Sequence, residues 1–368
     1  MASDGKIRVG IVFGGRSAEH EISILSARNI LQALDRSRFE PVLIGIDKSG
    51  RWIAQDERRL LASARDPRQV RIETGLPVPM NLAQPLSTAP TDAGRLDVVF
   101  PILHGTLGED GAMQGVFEVA GIPYVGAGVL GSAIGMDKDV MKRLLRDAHI
   151  PVANFRTVRQ DRFEADAPKI CTGLAALGFP LFTKPANAGS SVGIRRVTGP
   201  AELEDAIRYA FEFDSKVIVE TAVSGREIEL AVLGGNPPTV SVAGEIVVQH
   251  PDGFYSYEAK YLDEHGARLE LPARIPAEQQ ARAQALALRA FEVLECEGMA
   301  RVDLFLKDDG EFLVNEINTI PGFTAISMYP KLWELSGVPP TKLVTRLIEL
   351  ALQRGRRRAA IRRSISPD

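Results

Sequence analysis

The sequence predicts a mixed α/β and α+β fold in three domains, of which the N-terminal one contains a parallel β-sheet. Three observations support this prediction. The chain has 368 residues, more than the roughly 100 to 200 residues usual for one domain. It opens with an apolar run, two glycines and a helical pattern, and further strands alternate with helices, as in a parallel sheet covered on both faces. Two later blocks combine helices with paired strands.

The first predicted domain covers residues 1–136. Its opening apolar run is short and meets glycines rather than a cleavage site, which indicates a first strand and not a signal peptide. A stretch at 56–93 is rich in Arg, Pro and Thr with weak periodicity, which favours a surface excursion. The elements predicted in this domain are a strand at 7–13, a turn at Gly14 and Gly15, a helix at 17–30, and strands at 39–46 and 96–101.

The second predicted domain covers residues 137–224, and the third covers residues 225–368. A helix beginning near Met136 opens the second domain and stops before Pro151, because the residue before a proline disfavours the helical region. The other predicted elements are two strands flanking a glycine- and serine-rich loop within 177–197, a helix at 201–214, strands at 216–220 and 227–235, a loop at 250–266, a helix at 277–295, strands at 299–306 and 311–319, and a final helix.

The composition narrows the possible functions. The 44 Lys and Arg residues nearly balance the 47 Asp and Glu residues, for a net charge of -3, so no global attraction to nucleic acid or to an anionic membrane is expected. No stretch approaches the roughly 18 apolar residues of a membrane helix. Cys171 and Cys296 form no CxxC pair, which favours reduced thiols in a cytoplasmic protein. The Arg-rich segment 354–363 is interpreted as a solvated helix end, with a nucleic-acid or membrane patch as the alternative.

Acidic and amide side chains lie on two strands that a turn at 307–310 joins as a hairpin. Because side chains alternate along a strand, Arg301 and Asp303 share a face, as do Glu316 and Asn318 on the neighbouring strand. Half-buried carboxylates require a compensating cation, and Mg²⁺ prefers hard oxygen ligands of this kind. The sequence therefore predicts Asp303, Glu316 and Asn318 as magnesium ligands. A solvent-exposed polar strand face is the alternative.

Two lysines and two glutamates predict a nucleotide site. Lys184 ends a strand and precedes the small-residue loop PANAGSSVG, so positive charge and flexible backbone donors come together as phosphate binding requires. Lys138 stands near the start of the helix in the same block. Glu220 closes an apolar strand and Glu227 follows one turn later, where carboxylates can accept from a ribose or an adenine amino group. Taken singly, each of these four is more often a surface charge.

Two other motifs lack the context that their chemistry needs. The sequence GAGVLG at 126–131 matches GxGxxG, but no second strand ends in an acid about 20 residues later. It is therefore interpreted as a structural loop, and a nicotinamide oxidoreductase that depends on it is the less favoured function. The sequence HEIS at His20 lacks the second histidine of HExxH, so a zinc protease is not supported.

An ordered set of motifs resembles the D-alanine–D-alanine ligases of the ATP-grasp superfamily. The motifs are GGRSAEHEIS, FPILHGTLGEDG, GSAIGMDK, TKPANAGSSVG, YEAKY and NEINTIPGFT, and the resemblance spans most of the chain, from Gly14 to Met328. The resemblance implies a three-domain ATP-grasp fold with ATP between the central and C-terminal domains. It also implies D-alanine as the substrate, two Mg²⁺ ions that Mn²⁺ can replace, and a homodimer.

The resemblance assigns roles to individual residues. Lys138, Lys184 and Lys260 contact phosphates, Glu220 and Val223 border the adenine, and Glu227 binds the ribose. Glu19 receives the ammonium group of the first D-alanine, His104 lines the same pocket, and Ser190 and Tyr261 link to Glu19 to close two loops over the substrates. Arg301 and the N–H of Gly322 stabilise the oxyanion, and Ser327 and Met328 hold the carboxylate of the second substrate.

The reaction implied by the resemblance has two steps. A D-alanine carboxylate attacks the γ-phosphate of ATP, and the amine of a second D-alanine then attacks the acyl phosphate. By the same resemblance, Tyr261 favours an amine over D-lactate as the second substrate. The sequence departs from the family pattern at Thr221 and Ala222, where relatives often carry a Lys and a larger apolar residue. Another ATP-grasp ligase that joins a carboxylate to an amine is the nearest alternative.

Overall fold

The fold contains three β-sheets surrounded by helices. The computed structural model describes residues 5–63, 66–78, 96–249 and 267–362. The strands are β1 Ile7–Gly14, β2 Phe39–Ile46, β3 Trp52–Ala54, β4 Val98–Ile102, β5 Phe155–Arg159, β6 Leu181–Pro185, β7 Arg195–Val197, β8 Lys216–Thr221, β9 Arg226–Leu233, β10 Thr239–Val248, β11 Ala267–Glu270, β12 Met299–Leu306 and β13 Phe312–Asn318. The helices are α1 His20–Ala33, α2 Glu57–Ala62, α3 Ala112–Ala120, α4 Val129–Met136, α5 Lys138–Asp147, α6 Gln160–Ala165, α7 Ala167–Ala175, α8 Pro200–Ala210, α9 Ala277–Val293, α10 Met328–Leu335 and α11 Pro340–Ala359.

The first sheet has the strand order β3-β2-β1-β4. Strand β1 pairs in parallel with β2 and β4, as the alternation of strands and helices predicts, and β3 adds an antiparallel edge. Gly14 and Gly15 turn the chain out of β1 with positive φ angles of 92° and 95°. A Cβ atom on Gly14 would lie 2.2 Å from the carbonyl oxygen of Ile46, so a side chain cannot fit there.

The second and third sheets are antiparallel. The second has the order β5-β8-β6-β7 and the third has the order β11-β10-β9-β12-β13. Strands β12 and β13 form the predicted hairpin. Helices α4 and α5 contribute Ile134, Met141 and Leu145 to the buried core beneath the third sheet, so these helices join the N-terminal part of the chain to the third sheet. The predicted domain limits of 136/137 and 224/225 stay predictions.

The structure corrects several predicted elements. Helix α1 begins at His20 rather than Ser17. The helix predicted to begin near Met136 is α5 and begins at Lys138, because Asp137 precedes it and its side chain accepts hydrogen bonds from the N–H groups of Asp139 and Val140. Strand β10 was not predicted, because the Pro pair before it and Gly244 within it mask the alternation. The excursion at 56–93 contains α2, and residues 79–95 lie outside the described residues.

Two further interpretations are partly wrong. The GAGVLG motif is a loop only as far as Gly128, and Val129 begins α4. The Arg-rich segment is not a uniformly solvated helix end, because Arg354 is buried and donates to the carbonyl oxygens of Tyr124 and Gly126, both at 2.6 Å. Arg356 and Arg357 are exposed, as predicted. Within the described ranges, no helix is long and apolar enough to cross a membrane.

Candidate active site

A row of charged side chains crosses three neighbouring strands of the third sheet. Asp303 on β12 lies opposite both Glu229 on β9 and Glu316 on β13. Directly paired residues of antiparallel strands point to the same face, so these three carboxylates share one face. The register also brings Arg301 opposite Asn318. The sequence predicted one polar face on each strand. The strand pairing places these two faces on the same side of the sheet.

The guanidinium group of Arg301 is held by acidic neighbours. Its Nε donates to Asp303 Oδ1 at 2.7 Å and its Nη2 donates to Asp303 Oδ2 at 2.6 Å. The same Nε is 2.9 Å from Glu229 Oε2. Burial opposes the charged form, but the Asp303 and Glu229 carboxylates outweigh it and keep the pKa of Arg301 above its usual range. Arg301 is therefore a fixed cation suited to stabilise a developing oxyanion.

The oxygen atoms beside Arg301 fit a hard divalent cation. Asn318 Nδ2 donates to Asp303 Oδ2 at 3.0 Å, so the amide oxygen is the atom left for another partner. In the part of the chain that the structure describes, no three His, Cys, Asp or Glu side chains converge as a metal cluster. The predicted set instead combines the carboxylates of Asp303 and Glu316 with the Asn318 amide, a mixture of oxygen donors that Mg²⁺ accepts.

Glu220 lies between two lysine side chains. Lys184 Nζ contacts Glu220 Oε1, and Lys142 Nζ lies 3.0 Å from Glu220 Oε2. Burial favours the neutral carboxyl group, but the two ammonium groups outweigh it and lower the pKa of Glu220 to about 2. Burial also lowers the pKa of Lys142, against the attraction of Glu220. For Lys184 the attraction of Glu220 outweighs burial, so its pKa is raised.

Lys138 connects this lysine cluster to the carboxylate row. Its Nζ donates to the carbonyl oxygen of Ala188, in the loop after β6, at 2.7 Å. The same Nζ lies 3.6 Å from Glu316 Oε2, and the backbone N–H of Lys138 donates to Ala186. Lys138 and Lys142 are four residues apart on α5, so they share one face of that helix. Together they bring two positive charges to the space between β6 and β13.

Glu19 links the first sheet to the glycine-rich loop. It precedes the first residue of α1 and is buried. Ser190 Oγ, in the loop between β6 and β7, donates a hydrogen bond to Glu19 Oε1. Ser190 adopts a positive φ of 49°, which L residues seldom occupy. The loop that follows Lys184 therefore reaches across to a carboxylate at the start of α1.

His104 and Glu109 occupy the loop that follows β4. His104 Nδ1 donates to the carbonyl oxygen of Ile320 at 3.0 Å, and its Nε2 accepts from Ser26 Oγ at 3.2 Å. Burial lowers the pKa of His104, so the imidazole is neutral. Glu109 Oε1 accepts from the N–H of Gly105 at 2.8 Å. Burial first, and the charge of Glu19 second, raise the pKa of Glu109 to about 8.

The segment after β13 leads into α10. Ser327 Oγ accepts from the N–H of Thr324 at 2.9 Å, and a Cβ atom on Gly322 would lie 2.9 Å from that hydroxyl. The side chain of Met328 is buried in the core against Gly244. Only its backbone can therefore meet a substrate. Met328 is the first residue of α10, where N–H groups lack partners within the helix and favour anions.

Of the remaining predicted residues, two lie beside or in the second and third sheets, and two lie outside the described residues. Val223 is half-buried in the turn after β8. Glu227 on β9 lies opposite Phe305 and adds to the negative charge that faces Lys184. Lys260 and Tyr261 lie outside the described residues.

Three buried residues of the site were missed by the sequence reasoning. Glu229 stands two residues after Glu227 on β9, so the alternation of a strand is the signal that would have found it. Lys142 follows Lys138 by four residues, which is the corresponding signal on a helix. Glu109 lies inside the motif FPILHGTLGEDG, but no local pattern distinguishes it from the neighbouring Asp110.

Comparison with known proteins decides the family. The family models described as D-ala D-ala ligase N-terminus and C-terminus match residues 8–127 and 144–349. D-alanine--D-alanine ligase A of Chromobacterium violaceum is 54% identical over 366 residues, which are 98% of this chain and 99% of the relative. The chain belongs to the D-alanine–D-alanine ligase family. The D-alanine--D-alanine ligase of Shouchella clausii is 50% identical and covers 98% of both chains.

Solved structures of the D-alanine–D-alanine ligase family share the fold. The D-alanine-D-alanine ligase of Coxiella burnetii superposes with a TM-score of 0.83 at 37% identity, over 96% of this chain and 97% of the other. The VanG D-Ala:D-Ser ligase of Enterococcus faecalis gives 0.80 at 37% identity, over 94% and 99%. The fold is therefore the ATP-grasp fold, and the chain is an ATP-dependent ligase that uses a divalent metal ion.

Proposed function

We propose that this chain joins two D-alanine molecules to D-alanyl-D-alanine, converts ATP to ADP and phosphate, and so supplies a peptidoglycan precursor. The observation that carries the proposal is the hydrogen bond from Ser190 to Glu19. It joins the loop that follows Lys184 to a carboxylate suited to an ammonium group. A loop suited to phosphates thus meets a group suited to an amino acid, as a ligase that phosphorylates an amino acid requires.

The nucleotide binds along the lysine cluster. Lys138 and Lys184 contact its phosphates, and the short distances between these lysines and Glu220 or Glu316 support a site that is already assembled. Glu220 and Val223 border the adenine, Glu227 binds the ribose, and Lys260 reaches the transferred phosphate.

The divalent metal is Mg²⁺, as two ions that Mn²⁺ can replace, held by Asp303, Glu316 and Asn318. Bound there, the ions offset the negative charge of the phosphates. The protein supports this set in two ways. Arg301 orients Asp303 through two hydrogen bonds, and the amide nitrogen of Asn318 also donates to it.

In the first step, a carboxylate oxygen of D-alanine attacks the γ-phosphorus of ATP, the bond to ADP breaks, and an acyl phosphate forms. Glu19 holds the ammonium group of this D-alanine, and His104 lines the pocket as a neutral imidazole. In the second step, another D-alanine, whose ammonium group has released one proton to water, attacks the acyl carbon with its neutral amine, and a further proton of that amine passes to the phosphate group. Arg301 and the N–H of Gly322 stabilise the oxyanion, and phosphate leaves.

The second D-alanine binds at the start of α10. Its carboxylate meets Ser327 and the backbone N–H of Met328, since the buried side chain of Met328 cannot take part. By the family resemblance, Tyr261 favours an amine as the nucleophile. A structural neighbour is named a D-Ala:D-Ser ligase, so likeness of fold does not decide the second substrate. The curated relatives at 50 to 54% identity, named D-alanine ligases, favour D-alanine.

The test is a phosphate-release assay with ATP, Mg²⁺ and a panel of D- and L-amino acids, with each product identified by mass. We expect phosphate release to require D-alanine and to yield a dipeptide of two D-alanines. Release that is equal with L-alanine, or that needs no amino acid, contradicts the substrate. A mixed product formed preferentially from D-alanine and D-serine would assign the chain to the other specificity.

The proposal includes three statements about the whole protein. The chain acts in the cytoplasm as a homodimer. Its domains are residues 1–136, which bind the first substrate, 137–224, and 225–368, with the nucleotide between the second and the third. Size-exclusion chromatography with light scattering tests the dimer.

A further inference from the structure

Lys142 is the most deeply buried charged group of the site, and the proposed mechanism does not use it. Its side chain is 1% exposed, against 3% for Glu220 and 11% for Lys184. Its ammonium group has Glu220 as its ion-pair partner, at 3.0 Å. A buried lysine is unfavourable unless its charge serves a partner.

The geometry defines a triad of Lys142, Glu220 and Lys184. Each oxygen of the Glu220 carboxylate faces one ammonium group. The two lysines come from different elements, α5 and β6, while Glu220 lies near the end of β8. Two positive charges and one negative charge give the triad a net charge of +1. Without Lys142, the contact between Lys184 and Glu220 would be a neutral pair.

We propose that Lys142 is a positioning residue that balances the charge of Glu220, so that Lys184 presents a net positive charge to the nucleotide phosphates. The inference rests on the proposed function, because it assigns Lys184 to a phosphate. Lys184 is the more exposed of the two lysines and adjoins the glycine-rich loop, so it is the member of the triad that faces a ligand. Lys142 affects the ligand indirectly, through its ion pair with Glu220.

The proposal predicts different effects on the binding of the nucleotide phosphates and on the binding of the nucleoside. A charge acts over a distance in a partly buried site, so loss of the Lys142 charge weakens attraction for the triphosphate. Adenosine carries no phosphate and does not sense this charge. The measured quantity is therefore the ratio of the dissociation constant for adenosine to that for ATP, which we call the phosphate ratio.

The first experiment uses isothermal titration calorimetry to compare the binding of ATP and of adenosine to the full-length wild-type chain and to Lys142→Met. We expect the dissociation constant for ATP to rise on the order of ten-fold, which corresponds to about 1.4 kcal/mol. We expect adenosine to bind within about two-fold of wild type. The phosphate ratio then falls about ten-fold. If Lys142 only fills space, the substitution changes the affinities for ATP and for adenosine by the same factor. That result overturns the proposal.

The second experiment restores the charge without restoring the lysine. The double variant Lys142→Met with Glu220→Gln leaves Lys184 as the sole charge of the triad, with a net +1 again. Glu220→Gln weakens both ligands through the adenine, but the phosphate ratio returns to near the wild-type value. A ratio that stays at the level of the single variant contradicts the charge-balance role.

Lys142→Arg and Lys142→Gln are the matched variants. Arg keeps the charge, so we expect a phosphate ratio near that of wild type. Gln can still donate to Glu220 and keeps the chain folded if Met does not, and the ratio must fall as for Met. Failure of the proposed function looks different, because wild type itself would then bind ATP no better than adenosine.

Discussion

At the scale of single residues, burial and neighbouring charges shift the pKa values of groups in the site. Glu109 is the clearest case, since burial and the nearby Glu19 raise its pKa to about 8. Its Oε1 accepts from the N–H of Gly105, which fixes the loop that carries His104. A neutral carboxyl group can accept this hydrogen bond without adding a further negative charge beside Glu19 and Glu316.

The protonation of Glu109 predicts a pH-dependent stability. In the folded chain the group keeps its proton up to about pH 8, whereas the unfolded chain releases it above about 4.5. Between these values the unfolded state is increasingly favoured, by about 1.4 kcal/mol for each pH unit. Glu109→Gln removes this term and keeps an oxygen acceptor. We therefore expect the melting temperature of the variant, relative to wild type, to rise from pH 5 to pH 8.

The measurement is thermal unfolding of both chains across that pH range. Glu212→Gln is the control, because Glu212 is exposed and its variant should follow wild type at each pH. A difference between Glu109→Gln and wild type that is constant with pH would contradict the assignment of the proton.

Some of these residues were predictable, and others were not. Asp303 and Glu316 stand out because charged residues on apolar strands need compensation. The position of Glu229 opposite Asp303 depends on the pairing of β9 with β12. These residues are more than 70 positions apart in the sequence, so no local pattern predicts the pairing. Lys142 and Glu220 meet only because the fold brings α5 and β8 together. Chemistry within one element is visible in the sequence, whereas chemistry between elements requires the fold.

At the scale of elements, the sequence predicted correctly those strands and helices whose residues follow one local pattern. The β12–β13 hairpin has alternating residues and a Gly310 turn with a φ of 83°. Strand β10 was missed because the two prolines before it and Gly244 within it mask the alternation, and its pairing with β9 also shifts between Val240 and Ala243. Helix α11 was predicted, but its arginines were interpreted together, although Arg354 is buried and donates to the segment that follows α3.

Arg354 anchors α11, and its removal should destabilise the chain. Its guanidinium donates to Tyr124 and Gly126, lies 3.2 Å from Glu297 Oε2, and stacks 4.3 Å from the centre of the Tyr124 ring. Arg354→Met leaves buried carbonyl oxygens without these donors. We expect a loss of about 3 kcal/mol, seen as a lower melting temperature.

The control for this prediction is Arg357→Met on the same helix. The Arg357 side chain is 65% exposed and its contact with Glu297 is 3.9 Å long, so we expect a change below about 0.5 kcal/mol. Equal effects of the two substitutions would show that α11 responds to charge in general and not to the anchoring contacts of Arg354.

At the scale of the whole molecule, the residues of the proposed site come from three parts of the fold. The first sheet contributes Glu19, the second carries the loop with Ser190, and the third carries Arg301 and the carboxylate row. The hydrogen bond between Ser190 and Glu19 joins two of these units beside the proposed substrate pocket. An acyl phosphate reaches its amine only if water is excluded, so this contact bears on coupling as well as on binding.

Ser190→Ala should therefore uncouple ATP hydrolysis from ligation. Without the hydroxyl group, the loop after Lys184 loses its hydrogen bond to Glu19, and water gains access to the acyl phosphate. We expect the ratio of phosphate released to dipeptide formed to rise above one, together with a higher KM for D-alanine. Ser37→Ala is the control, because Ser37 is exposed and bonds only within its own turn. If the ratio stayed at one while turnover fell, the contact would serve substrate positioning alone, and the exclusion of water would have to depend on other groups.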